Sequence, residues 1–128
     1  MMRSFRGTVN RVELIGRLGA DPEVRQVGNG VTVCRFNLAT NRPAGSDEQG
    51  KRLSETEWTT VEAWERLAEV CGNYLQKGRR VMVMGSLRTD SWHDKESGQP
   101  RSRTYVRAEE VIFLDGGNGK QDNDQEEE

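Results

Sequence analysis

The amino-acid sequence predicts an all-β domain that contains one helix. Several short segments alternate between apolar and polar residues, one segment has helical spacing instead, and the 14 glycines against three prolines suit tight turns and β-bulges. The 128 residues are enough for one ordinary domain and too few for a two-domain enzyme with a cleft between its lobes.

The first part of the chain predicts two strands joined by a turn. Residues 8–18 alternate in polarity as a half-buried strand does, and residues 23–27 resume that strand briefly after a break. The Asn29-Gly30 pair predicts the turn. The return strand runs from Val31 to Asn41, where a change in apolar parity indicates a bulge near Cys34-Arg35.

The middle of the chain predicts a loop, a strand and a helix. Residues 42–54 are polar and form a loop too long for a tight hairpin, and the third strand follows from Thr56 to Ala63. The period then changes, and an apolar stripe predicts a short helix from about Glu65 to Gln76, followed by Gly78 as a C-terminal signal. The stripe consists of Leu67, Val70, Cys71, Tyr74 and Leu75.

The last part of the chain completes the predicted topology. Arg80 to Trp92 forms a fourth strand, residues 93–103 a polar loop, and Thr104 to Leu114 a fifth strand. Three strands, one helix and two strands follow the order of an OB-fold, a five-stranded Greek-key barrel with its helix between strands three and four.

Charge divides the chain into a basic body and an acidic end. Residues 115–128 carry six acids and one lysine, a formal charge of −5, whereas residues 1–114 hold 18 basic and 15 acidic residues, or +3. This distribution is typical of a domain that binds a polyanion beside a segment that stays solvated. We therefore expect residues 1–114 to form the domain and residues 115–128 to be a disordered acidic tail.

Two tryptophans, one on the third strand and one directly after it, give the first sign of function. Trp58 and Trp64 are six residues apart, so both project from the same face of a regular strand. The opposite parity carries the smaller residues Thr59, Val61 and Ala63. Two indoles would therefore lie outside the barrel, the reverse of what stability alone favours.

Exposed indoles beside arginines suit unstacked bases. Trp92 comes at the end of the fourth strand, while Arg66 and Arg88 flank the aromatic positions. A base stacks on an aromatic ring whatever its identity, and each nucleotide brings a phosphate for a guanidinium. The alternative is that the tryptophans cap the barrel or pack a subunit interface.

Nothing in the sequence indicates catalysis. His93 is the only histidine and falls in the second polar loop, and the chain has no Walker loop, no GxSxG and no metal-ligand cluster. Cys34 and Cys71 match no ligand or redox spacing and are typical of small buried hydrophobes in a reducing compartment. We expect no enzymatic activity and no cofactor, although a carboxylate-metal site without a known motif stays open.

The chain is also not typical of a membrane or secreted protein. It has no run of about 18 apolar residues and no apolar stretch behind the arginines of its first six residues. We expect a cytoplasmic, nucleoid-associated protein with no membrane contact.

These residues resemble the bacterial single-stranded DNA-binding proteins of the homotetrameric OB-fold family. The resemblance runs from about Thr8 to Leu114. In chain order its motifs are Asn10-Arg11-Val12, Leu14-Ile15-Gly16-Arg17-Leu18-Gly19, Asp21-Pro22-Glu23-Val24-Arg25, Leu38-Ala39-Thr40, Thr56-Glu57-Trp58, Leu67-Ala68-Glu69-Val70, Tyr74-Leu75-Gln76-Lys77-Gly78 and Gly85-Ser86-Leu87-Arg88-Thr89 with Trp92.

The resemblance implies a tetramer of four OB-folds around which single-stranded DNA wraps without sequence preference, in replication, recombination and repair. It also implies that the N-terminal strand pairs with its copy in a second subunit. The family's base-stacking positions fall on Trp58, Trp64 (usually Phe in the family) and Trp92. Its DNA-backbone contacts fall on Arg66, Lys77 and Arg88.

Three features depart from the family pattern. Ala44 takes the place of a stacking Trp in the loop after strand two, which weakens binding by that loop. Asp90 and Ser91 stand where family members often carry bases, which lowers the local positive potential. The chain ends Glu126-Glu127-Glu128 without the family's Pro-Phe tip, on which replication and repair proteins dock, so their recruitment by this tail is not expected.

Two other functions are compatible with an OB-fold. An accessory protein like the primosomal replication protein would be a dimer that acts mainly through protein partners, and the basic-aromatic face argues against it. A cold-shock-like RNA-binding module would be shorter, with Phe-rich motifs on adjacent strands that are absent here.

Overall fold

A computed structural model describes residues 6–115 of the chain. Its elements are β1 (Val12–Leu18), β2 (Glu23–Val27), β3 (Val31–Ser46), β4 (Arg52–Trp64), α1 (Glu65–Tyr74), β5 (Arg80–His93) and β6 (Pro100–Phe113). The predicted barrel with one helix is confirmed, with its first strand broken into β1 and β2 at residues 19–22. No helix within residues 6–115 is long and apolar enough to cross a membrane.

The strands form one closed sheet. They pair in the order β1-β5-β6-β4-β3-β2, and β1 also pairs with β3 at Arg17 and Leu18. This closure requires a glycine at position 16, because a Cβ there would lie only 3.0 Å from the Ala39 carbonyl carbon. Antiparallel ladders hold most of the barrel, and a short parallel ladder joins β4 to β6.

The core fills the barrel from alternate positions of each strand, and α1 covers one end. Its fully buried members are Cys34, Leu38, Val61, Ala63, Ala68, Cys71, Val81 and Val83. Burial raises the pKa of the Cys34 thiol to about 11, and burial together with Cys34 raises that of Cys71 to about 12. Both cysteines are therefore protonated, apolar core residues, as the sequence predicts.

The helix is shorter than its apolar stripe predicts. It ends at Tyr74, and Leu75 is already extended although its N–H still donates to the Cys71 carbonyl at 2.9 Å. Leu75 is buried, whereas Tyr74 is 62% exposed and packs against Phe113 with ring centroids 6.0 Å apart. The prediction that Tyr74 belongs to the buried stripe was wrong, because its ring packs against the partly exposed Phe113 and not into the core.

The predicted loop over residues 42–54 is a hairpin instead. β3 continues to Ser46 and β4 begins at Arg52, with a turn in which Asp47 Oδ1 accepts from Lys51 N at 2.8 Å. Arg42 pairs with Glu55 and Glu57 across the two strands. This hairpin projects into solvent on both faces, so its strands carry no apolar alternation that sequence reading could detect.

The second predicted loop, residues 93–103, is shortened in the same way. β5 extends to His93 and β6 begins at Pro100, and Asp94 closes the turn between them by donating its N–H to Gln99 O at 2.9 Å. His93 thus lies at a strand end, still exposed to solvent.

The bulge predicted near Cys34-Arg35 is absent. Both ladders of β3 pass through these residues without a register shift. The shifts lie between Pro43 and Ser46 and between Met84 and Gly85. The parity change arises because Val33 and Cys34 are both buried, Cys34 inside the barrel and Val33 opposite Trp64.

Candidate nucleic-acid interface

Four neighbouring strands share a surface that points away from the core, which we call the outer face. Alternation and strand register define it, because residues paired directly across a ladder point the same way. It comprises Arg35, Asn37 and Ala39 of β3; Trp58, Thr60, Glu62 and Trp64 of β4; Arg101, Arg103, Tyr105 and Arg107 of β6; and Ser86, Arg88, Asp90 and Trp92 of β5. All three tryptophans of the chain therefore lie on one surface.

Trp58 is the most exposed of these rings, at 60%. Its ladder partner is Ala39, whose small side chain leaves room for the indole to lean across β3. The ring reaches Gly19, where an added Cβ would lie 2.6 Å from its Cη2 atom. The absence of a side chain at Gly19 therefore sets where this ring rests.

Trp64 lies where β4 turns into α1. Its own backbone is extended, and the next residue, Glu65, adopts a left-handed φ of +61° that turns the chain sharply into the helix. The Trp64 Nε1–H donates to Glu62 Oε1 at 3.3 Å, and the guanidinium carbon of Arg107 lies 4.4 Å from the ring centre. The ring is half-buried and held both at its edge and on one face.

Trp92 lies near the end of the β5–β6 hairpin and is 47% exposed. It pairs across the ladder with Arg101, and together with Ser91, His93, Pro100 and Ser102 these residues line a shallow groove. The groove is open to solvent, which leaves space beside the indole for a flat group.

The three predicted phosphate contacts occupy different elements. Arg88 lies on the outer face opposite Tyr105, and Arg66 follows Trp64 on α1. Lys77 comes after the helix, where its N–H donates to Asp21 Oδ1 at 2.8 Å. Asp21 lies two residues beyond Gly19, which contacts the Trp58 ring. Within residues 6–115 no carboxylate forms an ion pair with any of these three cations.

An ionic cluster at the centre of the outer face escaped the sequence analysis. Glu62 is only 2% exposed, and its Oε2 accepts from Arg35 Nη2 at 3.0 Å and from Arg103 Nη2 at 2.8 Å. Burial raises the pKa of Glu62, but the hydrogen bonds from Arg103 and Arg35 lower it by more, so the net pKa lies below the ordinary value. The parity shared with Trp58 and Trp64 is the signal that could have placed Glu62 on this face.

Asp90 extends this cluster across β6 and β5. Its Oδ2 accepts from Arg103 at 3.1 Å and its Oδ1 from the Tyr105 hydroxyl at 3.3 Å. The Arg103 guanidinium lies 4.5 Å from the centre of the Tyr105 ring. Burial and the neighbouring Asp90 raise the pKa of Tyr105, which keeps its hydroxyl protonated as a donor. Asp90, which departs from the family pattern, is therefore hydrogen-bonded to two neighbouring side chains.

No group of His, Cys, Asp or Glu within residues 6–115 is arranged to hold a metal ion.

The acidic tail predicted from residue 115 onward begins with a residue that contacts the barrel. Asp115 accepts a hydrogen bond from Arg80 N at 2.9 Å. The rest of that segment, residues 116–128, lies outside the described residues.

Comparison with known proteins agrees with this geometry. The sequence model of the single-strand binding protein family matches residues 9–114. A protein named single-stranded DNA-binding protein 1 from Synechocystis sp. is 39% identical over 107 residues, covering 84% of each chain. A second protein of that name, from Nostoc sp., is 38% identical over 117 residues, covering 91% of this chain and 90% of the relative.

A solved structure agrees as well. The structure described as the Plasmodium falciparum SSB complex with ssDNA superposes with a TM-score of 0.74 at 33% identity, over 88% of this chain and all of that one. The family is one of binding proteins, which confirms the expectation that the chain is not an enzyme. With a barrel of this topology and a family match over residues 9–114, the chain belongs to the single-strand binding protein family.

Proposed function

We propose that this protein binds single-stranded DNA without sequence preference, in the cytoplasm and in association with replication, recombination and repair. The observation that carries the proposal is the placement of Trp58, Trp64 and Trp92 on one outer face. Exposed rings serve unpaired bases, since a duplex keeps its base faces stacked and inaccessible. A relative solved with single-stranded DNA supports the same ligand.

The proposed contacts are of two kinds, base stacking on aromatic rings and phosphate binding by cations. Trp58, Trp64 and Trp92 stack on bases, which contributes roughly 1–3 kcal/mol per base. Arg66, Lys77 and Arg88 contact phosphates, because no carboxylate within residues 6–115 already neutralises them. Neither contact reads the hydrogen-bonding edge of a base, so the same set of residues accepts any sequence.

We further propose that the chain assembles as a homotetramer. The outer side of β1, β5 and β6 carries an apolar row in which Ile15, Met82 and Ile112 are ladder neighbours. Ile15 is 52% and Ile112 38% exposed in the isolated chain, which favours their burial against another copy. Beyond Arg17 and Leu18, none of the described strands pairs with the second edge of β1, which leaves that edge for the copy in a second subunit.

The acidic end forms the last part of the proposal. Residues 1–114 are proposed as the binding domain and residues 115–128 as a solvated tail, of which Asp115 is fixed to the end of the barrel.

Tryptophan fluorescence tests the proposed ligand directly. The chain is titrated with oligo(dT), with a mixed-sequence single strand and with the same mixed sequence as a duplex. We expect both single strands to quench the fluorescence at similar concentrations and the duplex to have little effect. Oligo(U) serves as the RNA arm, and a preference for it would favour an RNA-binding module instead.

The assembly separates this proposal from a dimeric accessory protein that acts mainly through partners. Light scattering after size exclusion should give four times the chain mass of 14.5 kDa. A dimer that leaves oligo(dT) unbound would support the accessory function.

A further inference from the structure

Glu62 is a charged side chain buried in a surface otherwise suited to a ligand. Among residues 6–115 it is the only buried side chain that carries a formal charge at neutral pH, at 2% exposure. A buried carboxylate is unfavourable unless several donors surround it. The donors around Glu62 are Arg35, Arg103 and Trp64.

The two oxygens of this carboxylate serve different partners. Oε2 accepts from both guanidinium groups, at 3.2 Å from Arg35 Nε, 3.0 Å from Arg35 Nη2 and 2.8 Å from Arg103 Nη2. Oε1 accepts from Trp64 Nε1 at 3.3 Å. Because the arginines hold the carboxylate in place, Oε1 is a fixed acceptor for the edge of the indole.

A second contact fixes the plane of the same ring. The guanidinium of Arg107 lies over the indole, its carbon 4.4 Å from the ring centre, and Arg107 is the ladder neighbour of Glu62 on β6. The hydrogen bond to Glu62 and the guanidinium over one face together restrict rotation of the Trp64 side chain about both of its torsions. A ring that is already oriented loses less conformational entropy when a base stacks on it.

We propose that Glu62 is a positioning residue for base stacking: it orients the indole of Trp64 through Oε1 while the two arginines hold its carboxylate. This role rests on the proposed function, since it matters only if a base stacks on Trp64. Glu62 itself does not touch the DNA.

The sign of the effect distinguishes positioning from simple electrostatics. Removing a negative charge from a DNA-binding surface should tighten binding if charge alone matters. Glu62→Gln has the same size, but its single acceptor oxygen cannot serve two guanidinium groups and the indole, and its amide adds a donor among donors. If Glu62 positions Trp64, this variant weakens the stacking contribution instead.

The test is a double-mutant cycle on oligo(dT) affinity with Trp64→Ala and Glu62→Gln. In the unchanged chain, Trp64→Ala should weaken binding by about 5- to 140-fold. In the Glu62→Gln chain, the penalty of the same substitution should be smaller by more than about twofold, the margin within which uncoupled sites add. An equal penalty in both backgrounds would overturn the inference.

Glu57→Gln is the matched control. It makes the same charge change on the same strand, but Glu57 pairs with Arg42 at 2.7 Å and not with the Trp64 cluster. We expect Trp64→Ala to keep its full penalty in this background. If Glu62→Gln and Glu57→Gln behave alike, Glu62 acts only through its charge and the inference fails.

A second pair of variants keeps the test open if Glu62→Gln does not fold. Trp64→Phe keeps a ring that can stack and removes the N–H that Glu62 accepts, whereas the Trp58 indole N–H makes no hydrogen bond within residues 6–115. The loss of oligo(dT) affinity caused by each Trp→Ala substitution gives the full contribution of that ring. Trp58→Phe should retain a larger fraction of this contribution than Trp64→Phe does. Equal shares would contradict the positioning role.

Failure of the inference and failure of the proposed function give different results. If the unchanged chain binds oligo(dT) and Trp58→Ala weakens binding, the proposed function stands whatever the cycle shows. If the unchanged chain does not bind oligo(dT), both are wrong.

Discussion

The indole of Trp58 rests against the backbone of Gly19, and an added Cβ at that glycine would lie 2.6 Å from the ring atom Cη2. Gly19 sits in the break between β1 and β2, and its N–H donates to the Asn37 carbonyl at 3.2 Å. A ring that is 60% exposed is therefore supported from below by a backbone surface that only glycine leaves flat.

Gly19→Ala should consequently shift Trp58 and weaken DNA binding without unfolding the barrel. The glycine has no left-handed φ, so alanine causes no backbone strain there, and the atom it meets is the far end of a side chain. We expect a loss approaching the roughly 1–3 kcal/mol of one stacked base, measured with oligo(dT). In a Trp58→Ala background the obstructed ring is gone, so Gly19→Ala should have no further effect. A full loss in that background would point to backbone damage instead.

Salt should weaken binding, and Arg88 should account for part of the dependence. Each phosphate neutralised on a single strand releases about 0.7 counterions, so Arg88→Ala should reduce the slope of log affinity against log salt by about that amount. Arg42→Ala is the control, because Arg42 is already paired with Glu55 and Glu57. An affinity that does not change between low and moderate salt would contradict phosphate contact altogether.

Acid should destabilise the fold through Glu62. Its pKa in the folded chain is lowered, because the arginine hydrogen bonds outweigh burial, so the charged carboxylate stabilises the fold at neutral pH. This stabilisation is lost as the pH falls below the ordinary Glu pKa of about 4.3 and on through the lower folded value. At neutral pH, Glu62→Gln should lower the free energy of unfolding by about 1–3 kcal/mol, since it replaces charged hydrogen bonds from Arg35 and Arg103 with weaker bonds to one neutral oxygen.

Urea unfolding at neutral pH and at a pH below about 4, with the same protein concentration, measures the free energy of unfolding of each variant. The gap between the unchanged chain and Glu62→Gln should narrow in acid, whereas Glu57→Gln should differ little from the unchanged chain at either pH. A gap that stays constant with pH would show that the charge of Glu62 contributes nothing to stability.

The acidic end should compete with DNA for the cations of the barrel. Residues 116–128 hold five acids and one lysine, a tethered charge of −4. Removing them should tighten oligo(dT) binding modestly at low salt and change little at high salt, where the Debye length is only about 3 Å at 1 M. Equal affinities of the full and shortened chains at low salt would leave the segment as a solubility tail.

Apolar periodicity predicted the parts of the fold that have a buried side. Val61 and Ala63 point inward as their parity requires, and the helix begins at Glu65 as predicted. The distal half of the β3–β4 hairpin was missed because both of its faces are exposed to solvent, so its strands show no apolar alternation. Charged pairs such as Arg42 with Glu57 link the two strands there. Tyr74 was misplaced because its ring packs on Phe113 at the surface, a contact between residues distant in sequence.

The site was predicted as a set of rings but not as a connected surface. The even spacing of Trp58 and Trp64 placed both on one side of β4, as the structure has them. The contacts that hold Trp64 come from Glu62 and Arg107, and the second of these reaches it through a parallel pairing of β4 with β6. That pairing joins residues distant in sequence, so no local pattern reveals it.

Trp58→Ala and Trp64→Ala, each titrated with oligo(dT) while the remaining tryptophan fluorescence is followed, show whether the outer face stacks unpaired bases. If the outer face stacks unpaired bases, each variant keeps its barrel by circular dichroism and binds oligo(dT) with about 1–3 kcal/mol less free energy. Variants that melt at lower temperature yet bind with unchanged affinity when cold would show that the rings are structural, and the account of this face would be wrong.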